Sequence, residues 1–187
     1  MNLEHCHSTL IHAGVAFDPG LTPSEFAAVE DRFRFTFPPD LREFLAFALP
    51  RGRGFPNWRA IEDPALAESF RTPLEGICFD IEHNAFWPVE WGEKPGDLRV
   101  AFDIAAQEVA KAPRLVPIIG HRYIPDRPSV IDNPIFSVHQ TDIIYYGGHL
   151  QNYLENEFNY YFGTPEYQLP ASIRVIEFWS WLVELNA

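Results

Sequence analysis

Carboxylate and imidazole side chains of the kinds that bind metal ions occur in two stretches of this sequence, near positions 80 and 140. The residues are Asp80, Glu82, His83, His139, Asp142 and His149. A divalent ion would need several of them to converge at about 2.0 to 2.2 Å. Neither a His-Glu-x-x-His nor a Cys-x-x-Cys spacing is present. We therefore predict no metal site and no cofactor, and keep a metal-dependent enzyme as an alternative function.

Sequence motifs for covalent catalysis and phosphate binding are also absent. Ser137 lacks the Gly-x-Ser-x-Gly elbow, and neither Cys6 nor Cys78 lies in an electropositive sequence context. The stretch RGRG lacks the Lys-Ser/Thr ending of a phosphate-binding loop. We assign no catalytic residue and predict that the protein is not an enzyme.

The stretch GHRYIP places His121, Arg122 and Tyr123 after a predicted strand. A loop there could present an imidazole, a planar cation and an amphipathic ring together, and Arg and Tyr are enriched among interface anchors. We predict these three residues as partner-binding candidates. The alternative is structural, with Arg122 in a buried ion pair and Tyr123 capping the core.

The stretch FWPVEWGEKPGD contains Trp87 and Trp91, four residues apart with Pro88 between them. The proline argues against a long helix, so we predict a short helical corner. Trp87 is predicted to be a buried plug. Trp91, beside Glu90 and Glu93, is predicted to lie nearer the surface, where it could contact a basic partner. The alternative is that both rings belong to the core.

The elements that must position these residues are helices, then strands, then helices. Thr22, Pro23 and Glu25 form a capping box, which is the clearest helix start in the chain. Helices are predicted at 3–13, 21–33, 39–48, from Asp63-Pro64 onward, 97–113, 148–163 and 172–185. Strands are predicted at 75–84, 114–124 and 134–140, together with shorter strands, and the second and third segments are strands or strand-plus-turn segments.

Alternating apolar residues in these strands define a buried face. The inward residues are predicted to be Phe79, Ile81, Leu115, Ile118, Phe136 and Val138. Trp58, Trp87 and Trp179 are assigned to the aromatic core. Pro117 cannot donate a backbone hydrogen bond, so it should lie on an edge strand or at a bulge.

Length and charge limit the classes of protein to which the chain can belong. Its 187 residues suffice for one well-filled domain, and we predict a single domain over 1–187. The net charge of −12 argues against nucleic acid and anionic membrane surfaces as partners, but suits a basic protein. No signal peptide or membrane span is recognisable, so a cytoplasmic location is expected. The oligomeric state is left open.

Several motifs in this order resemble a known family. They are LTPSEFAAVEDRFRFTFPPDLREFL, FPNWR, GICFDIEHNAFWPVEWGEKP, LVPIIGHRYIP, NPIFSVHQTDIIYYGGHLQNYLENEF and IEFWSWL. The chain from about Leu21 to the C-terminus resembles the SUKH superfamily, which includes the Smi/Knr fungal cell-wall regulators and many bacterial immunity proteins. The match is to the longer bacterial members. Residues 1–20, which precede it, are predicted to contribute an N-terminal helix.

This resemblance implies an α+β fold with a largely antiparallel or mixed sheet covered by helices. It also implies a non-enzymatic protein that binds another protein, as an immunity or adaptor protein of a toxin–immunity system. The partner would then be a toxin domain, and the charge suggests a basic one. A metal-dependent enzyme and a small-ligand sensor built around the aromatic corner remain the alternatives.

Overall fold

The N-terminal part of the protein consists of three helices and a two-stranded sheet. A computed structural model describes residues 1–52, 54–158 and 168–186. Helix α1 (Leu3–His12) is followed by strand β1 (Ala16–Pro19), helices α2 (Pro23–Phe33) and α3 (Pro39–Phe47), and strand β2 (Ala48–Arg51), which pairs antiparallel with β1. The predicted capping box at the start of α2 is confirmed, since Thr22 and Glu25 bond each other's backbone N–H groups.

Helix α4 lies where the sequence predicted a strand, and this is the largest difference between the prediction and the structure. It runs from Pro64 to His83 and so covers all but the last residue of the predicted strand 75–84. Ile77 and Ile81 are buried, but Phe79 between them is 45% exposed and does not point inward as predicted. Residues spaced by four share a helix face, so Ile77 and Ile81 satisfy a helical pattern as well as an alternating one.

The main sheet is a four-stranded antiparallel meander in the order β3-β4-β5-β6. Its strands are β3 (Leu115–Ile119), β4 (Arg122–Pro125), β5 (Ile135–His139) and β6 (Asp142–Gly147). The segment 114–124, predicted as a strand or a strand with a turn, is therefore most of a hairpin. Pro117 lies on the edge strand β3 next to a register shift, which confirms its predicted position. The other predicted inward residues, Ile81, Leu115, Ile118, Phe136 and Val138, are all buried.

A close approach fixes this sheet to α4. A Cβ atom on Gly76 would lie 2.7 Å from the Cα atom of Gln140 in the β5–β6 turn, so glycine is needed there. Asp80, one turn later, accepts hydrogen bonds from the backbone N–H and the hydroxyl of Thr141 in the same turn. The helix and the hairpin turn are thus joined by contact and by charge-assisted hydrogen bonds.

The remaining helices are α5 (Leu98–Val109), α6 (Leu150–Phe158) and α7 (Trp179–Leu185), and a short 3-10 turn (Val89–Trp91) precedes α5. Helices α4, α6 and α7 pack against the four-stranded sheet. Residues 172–178, predicted as helix, are not helical, and α7 begins only at Trp179. The end of the predicted helix 148–163 lies outside the described residues.

Two clusters of buried side chains form the interior. One joins the N-terminal helices to α6 and one face of the sheet, and the other lies between α4, α5, α7 and the sheet. The protein is thus a single α+β fold with antiparallel sheets packed against helices, as predicted. Among the described residues, no helix combines the length and apolar character needed to cross a membrane.

Candidate functional site

A groove of about 270 Å³ lies where the 3-10 turn, the end of α5 and the start of α7 meet. Three aromatic rings line it, from Trp91, Phe178 and Trp181. The other lining residues are Pro88, Glu90, Glu108, Lys111, Ala112 and Glu177. The groove therefore contains Trp91 and Glu90, two of the residues predicted to bind a partner.

The backbone at Phe178 is strained in a way that orients its ring. Phe178 has φ 69° and ψ −55°, and the N–H of Trp179 donates to the carbonyl of Glu177 at 2.9 Å. This is a γ-turn with positive φ, a rare conformation that costs a non-glycine residue free energy. The turn stacks the Phe178 ring on Trp91, with centroids 6.3 Å apart and planes at 11°.

Trp179 and Trp87 hold the two sides of the groove in place. Trp179, 2% exposed, donates from its indole Nε1 to the carbonyl of Pro113 at 2.6 Å. Trp87 donates from Nε1 to the carbonyl of Gly92 at 2.8 Å and meets Trp91 edge to face. Trp87 is only partly buried, which corrects its predicted role as a buried plug, because its ring packs against the edge of the core and its indole bonds the backbone at the end of the 3-10 turn.

The charges of the groove are mainly negative. Glu90, Glu108 and Glu177 contribute three carboxylates against one ammonium group, that of Lys111, which leaves a net of two negative charges. Lys111 is paired with Glu108 at 2.6 Å. Glu90 and Glu177 are exposed and make no ion pair within the described part of the chain. Two carboxylates are thus available to an incoming cation.

The groove also offers unused hydrogen-bond donors. The Nε1 groups of Trp91 and Trp181 have no acceptor among the described residues, whereas those of Trp87 and Trp179 do. Aromatic faces attract Lys, Arg and alkylammonium groups, and carboxylates nearby strengthen that attraction. The arrangement is suited to holding a cationic side chain.

The other predicted partner-binding residues lie elsewhere. Glu93 is exposed but does not line the groove. His121 is exposed in the β3–β4 turn, and partial desolvation of its ring, followed by the charge of Arg122, lowers its pKa. Tyr123 is 1% exposed, with its hydroxyl donating to the carbonyl of Ser69 at 2.9 Å, so it cannot act as a surface anchor.

Arg122 packs within the sheet rather than in the ion pair considered as its structural alternative. Its guanidinium carbon lies 3.7 Å from the centroid of the Tyr146 ring, and one of its terminal nitrogens donates to the Ser137 hydroxyl at 3.0 Å. No carboxylate of a described residue pairs with it. His121, Arg122 and Tyr123 therefore do not present a common binding face.

The metal-binding candidates are not gathered into a site by the described part of the structure. No group of three His, Cys, Asp or Glu residues with suitable geometry is found there. Asp80 is 3% exposed. Burial raises its pKa, but hydrogen bonds from Thr141 and Asn84 outweigh this effect and hold the pKa below its usual value. Asp80 is a structural carboxylate that joins α4 to the hairpin turn.

Sequence reasoning missed Phe178, Trp181, Glu177, Glu108 and Lys111 as groove residues. The signal for the first three was the stretch IEFWSWL, in which Glu177, Phe178 and Trp181 follow one another closely. Treating the whole stretch as one helix hid the γ-turn that orients Phe178. Comparison with known proteins adds no further assignment, since no family model, no curated protein and no solved structure matches the chain.

Proposed function

We propose that this chain is a non-enzymatic protein-binding domain, and that it binds a basic segment of its partner in the groove formed by Trp91, Phe178 and Trp181. The observation that carries the proposal is the combination of three converging rings with two unpaired carboxylates, Glu90 and Glu177. The rings supply contact area, and the carboxylates favour encounter with cations. The acidic net charge of −12 acts in the same direction.

In the cell, we propose, this protein acts in the cytoplasm as an immunity or adaptor protein. Support for it comes from the sequence motifs that resemble the SUKH superfamily, together with the charge. A basic toxin domain is the partner class that both favour. We expect this protein to co-purify with the C-terminal domain of a secreted protein whose gene lies beside its own. We expect the Trp91→Ala variant to lose that co-purification. A stable complex unaffected by Trp91→Ala would place the partner on another surface.

Binding in the groove is tested with a short arginine-rich peptide, using calorimetry and tryptophan fluorescence. A glutamate-rich peptide of equal length is the control ligand. Trp91→Ala should weaken binding of the basic peptide by about tenfold or more, as expected for an interface anchor. Binding should also weaken as salt concentration rises, because the carboxylates are exposed.

A matched pair of charge variants separates the groove from the general acidity of the protein. Glu90→Gln removes a groove carboxylate, whereas Glu93→Gln removes an equal charge three residues away, outside the groove. We expect Glu90→Gln to weaken peptide binding several-fold and Glu93→Gln to change it less than about twofold. Equal effects of the two substitutions would show non-specific attraction and contradict the proposal.

The small-ligand alternative is tested at the same site with tetramethylammonium, a cation that aromatic rings recognise. If this ion saturates the groove and the peptide does not, the chain is a sensor of small cations rather than a protein-binding domain. If neither ligand binds, the groove has no role in cation recognition.

A further inference from the structure

A second and larger cleft, of about 390 Å³, shares the lining residue Ala112 with the groove. Its charged lining residues are Arg34, Arg114, Arg127 and Asp126. Three positive charges and one negative charge give a net of two positive charges, in a chain whose net charge is −12. Apolar side chains complete the lining: Phe70, Pro73, Leu74, Val109, Leu115 and Trp179.

Arg114 is the charged residue of the cleft whose side chain has no hydrogen-bond or ion-pair partner among the described residues, and it is exposed to solvent. Its guanidinium carbon lies 5.3 Å from the centroid of the Phe70 ring. Partial burial, opposed by the charge of Asp126, lowers its pKa. A guanidinium group has five N–H donors, and in Arg114 these face solvent rather than another side chain. Arg114 therefore remains available to a ligand that enters the cleft.

The other charges of the cleft are already held in place. Arg127 donates to the carbonyls of Lys111 and Ala112 and lies 3.5 Å from the Asp126 carboxylate. Asp126 accepts a hydrogen bond from the backbone N–H of Arg114 at 2.7 Å, which orients its carboxylate. Arg34 pairs with Asp31 at 2.8 Å at the exposed end of the cleft. Asp126 and Arg127 thus line the cleft together with Arg114, whose side chain has no polar partner among the described residues.

We infer that this cleft binds a small anionic ligand with an apolar group, and that Arg114 holds the anion with help from Arg127. A carboxylate or a phosphate ester matches the planar donor fork of arginine. The apolar part would lie against Phe70, Leu74 and Trp179. A volume of about 390 Å³ is within the range of small-molecule sites. This inference does not depend on the proposed protein-binding groove.

The inference is tested by titrating the whole chain with phenyl phosphate, benzoate and inorganic phosphate, followed by calorimetry. ¹⁵N-detected shifts of the Arg114 side chain and the Trp179 indole report where each ligand binds. We expect saturable binding of phenyl phosphate or benzoate, with the tighter of the two identifying the preferred anion. Inorganic phosphate should bind more weakly because it leaves the apolar wall uncovered.

Arg114→Gln should weaken binding about tenfold, as expected for loss of a charge-assisted hydrogen bond. Arg114→Lys should fall between Arg114→Gln and the unchanged protein, since it keeps the charge but loses the fork. Arg99→Gln is the matched control, because Arg99 is exposed on α5 and lies outside the cleft. The inference is overturned if neither organic anion saturates at millimolar concentration, or if Arg114→Gln and Arg99→Gln have the same affinity.

Discussion

Two aromatic clusters of this protein contain similar side chains but differ in how they are covered. In the first, near the N-terminus, Phe35, Phe37 and Trp58 are buried, and Phe70 packs on Trp58. In the second, Trp87, Trp91, Phe178 and Trp181 are all partly exposed. We call these the closed and the open cluster. Aromatic content alone does not distinguish a core from a binding surface.

The difference arises from the elements that supply the rings. The closed cluster draws its rings from the loop between α2 and α3, the loop before α4, and α4 itself. Neighbouring elements bury Phe35, Phe37 and Trp58, whereas Phe70, which lines the cleft, is partly buried. The edge of the closed cluster is held by Arg59, which bonds the Glu25 carboxylate and the carbonyls of Pro19 and Gly20. The open cluster takes its rings from the 3-10 turn and the residues before it, the γ-turn and the first turn of α7, and all of its rings remain partly exposed.

The largest expected effect is on the closed cluster. Trp58→Ala should lower the free energy of unfolding by about 3 to 5 kcal/mol, because a fully buried aromatic ring leaves a cavity when it is removed. Trp181→Ala, in the open cluster, should cost about 1 to 2 kcal/mol, because its ring already contacts water. Chemical denaturation of both variants measures the two values. Equal losses would mean that the open cluster is core and that the groove is only a gap in packing.

An intermediate effect compares two neighbours on α4, beside the open cluster. Ile81→Ala should cost about 2 to 5 kcal/mol, since Ile81 is buried against the sheet. Phe79→Ala should cost less than about 1 kcal/mol, since Phe79 is 45% exposed and its ring contacts mainly His83. Thermal melts of the two variants give the comparison. A large loss in Phe79→Ala would favour the strand that the sequence predicted.

The smallest effect concerns the acid sensitivity of the closed cluster's edge. The hydrogen bond from Arg59, followed by those from Thr22, lowers the pKa of Glu25 to about 2. Because the pKa of Glu25 is lower in the folded than in the unfolded state, its ionised carboxylate stabilises the fold at pH values above the ordinary pKa of about 4.5. This stabilisation is lost as the pH falls toward 2.

NMR titration of the Glu25 carboxyl group measures this pKa directly. In Arg59→Gln the pKa should rise toward its ordinary value, because the largest cause of the shift has been removed. Thr22→Ala should raise it less. If Glu25 titrates near 4.5 in the unchanged protein, the hydrogen bond between Arg59 and Glu25 is not formed in solution.

Helix starts were predictable because their signals are local. Thr22, Asp63 and Asp97 each cap the helix that follows them, through a bond to a backbone N–H two or three residues on, and Glu25 completes the capping box from inside α2. The edge position of Pro117 was predictable for a similar reason, since it follows from a missing N–H group. Such features depend on a few bonded neighbours and can be read without knowledge of the fold.

The sequence by itself thus determined the α+β class, most helix starts, the edge position of Pro117 and the acidic character of the surface. It did not determine whether Ile77 and Ile81 belong to a strand or a helix, because the two periods coincide at a spacing of four residues. Only the tertiary structure decided that Trp91 meets Phe178 and Trp181, and that Arg114 faces a cleft with Arg127. These groups are brought together by packing between elements distant in sequence, and no local pattern encodes such contacts.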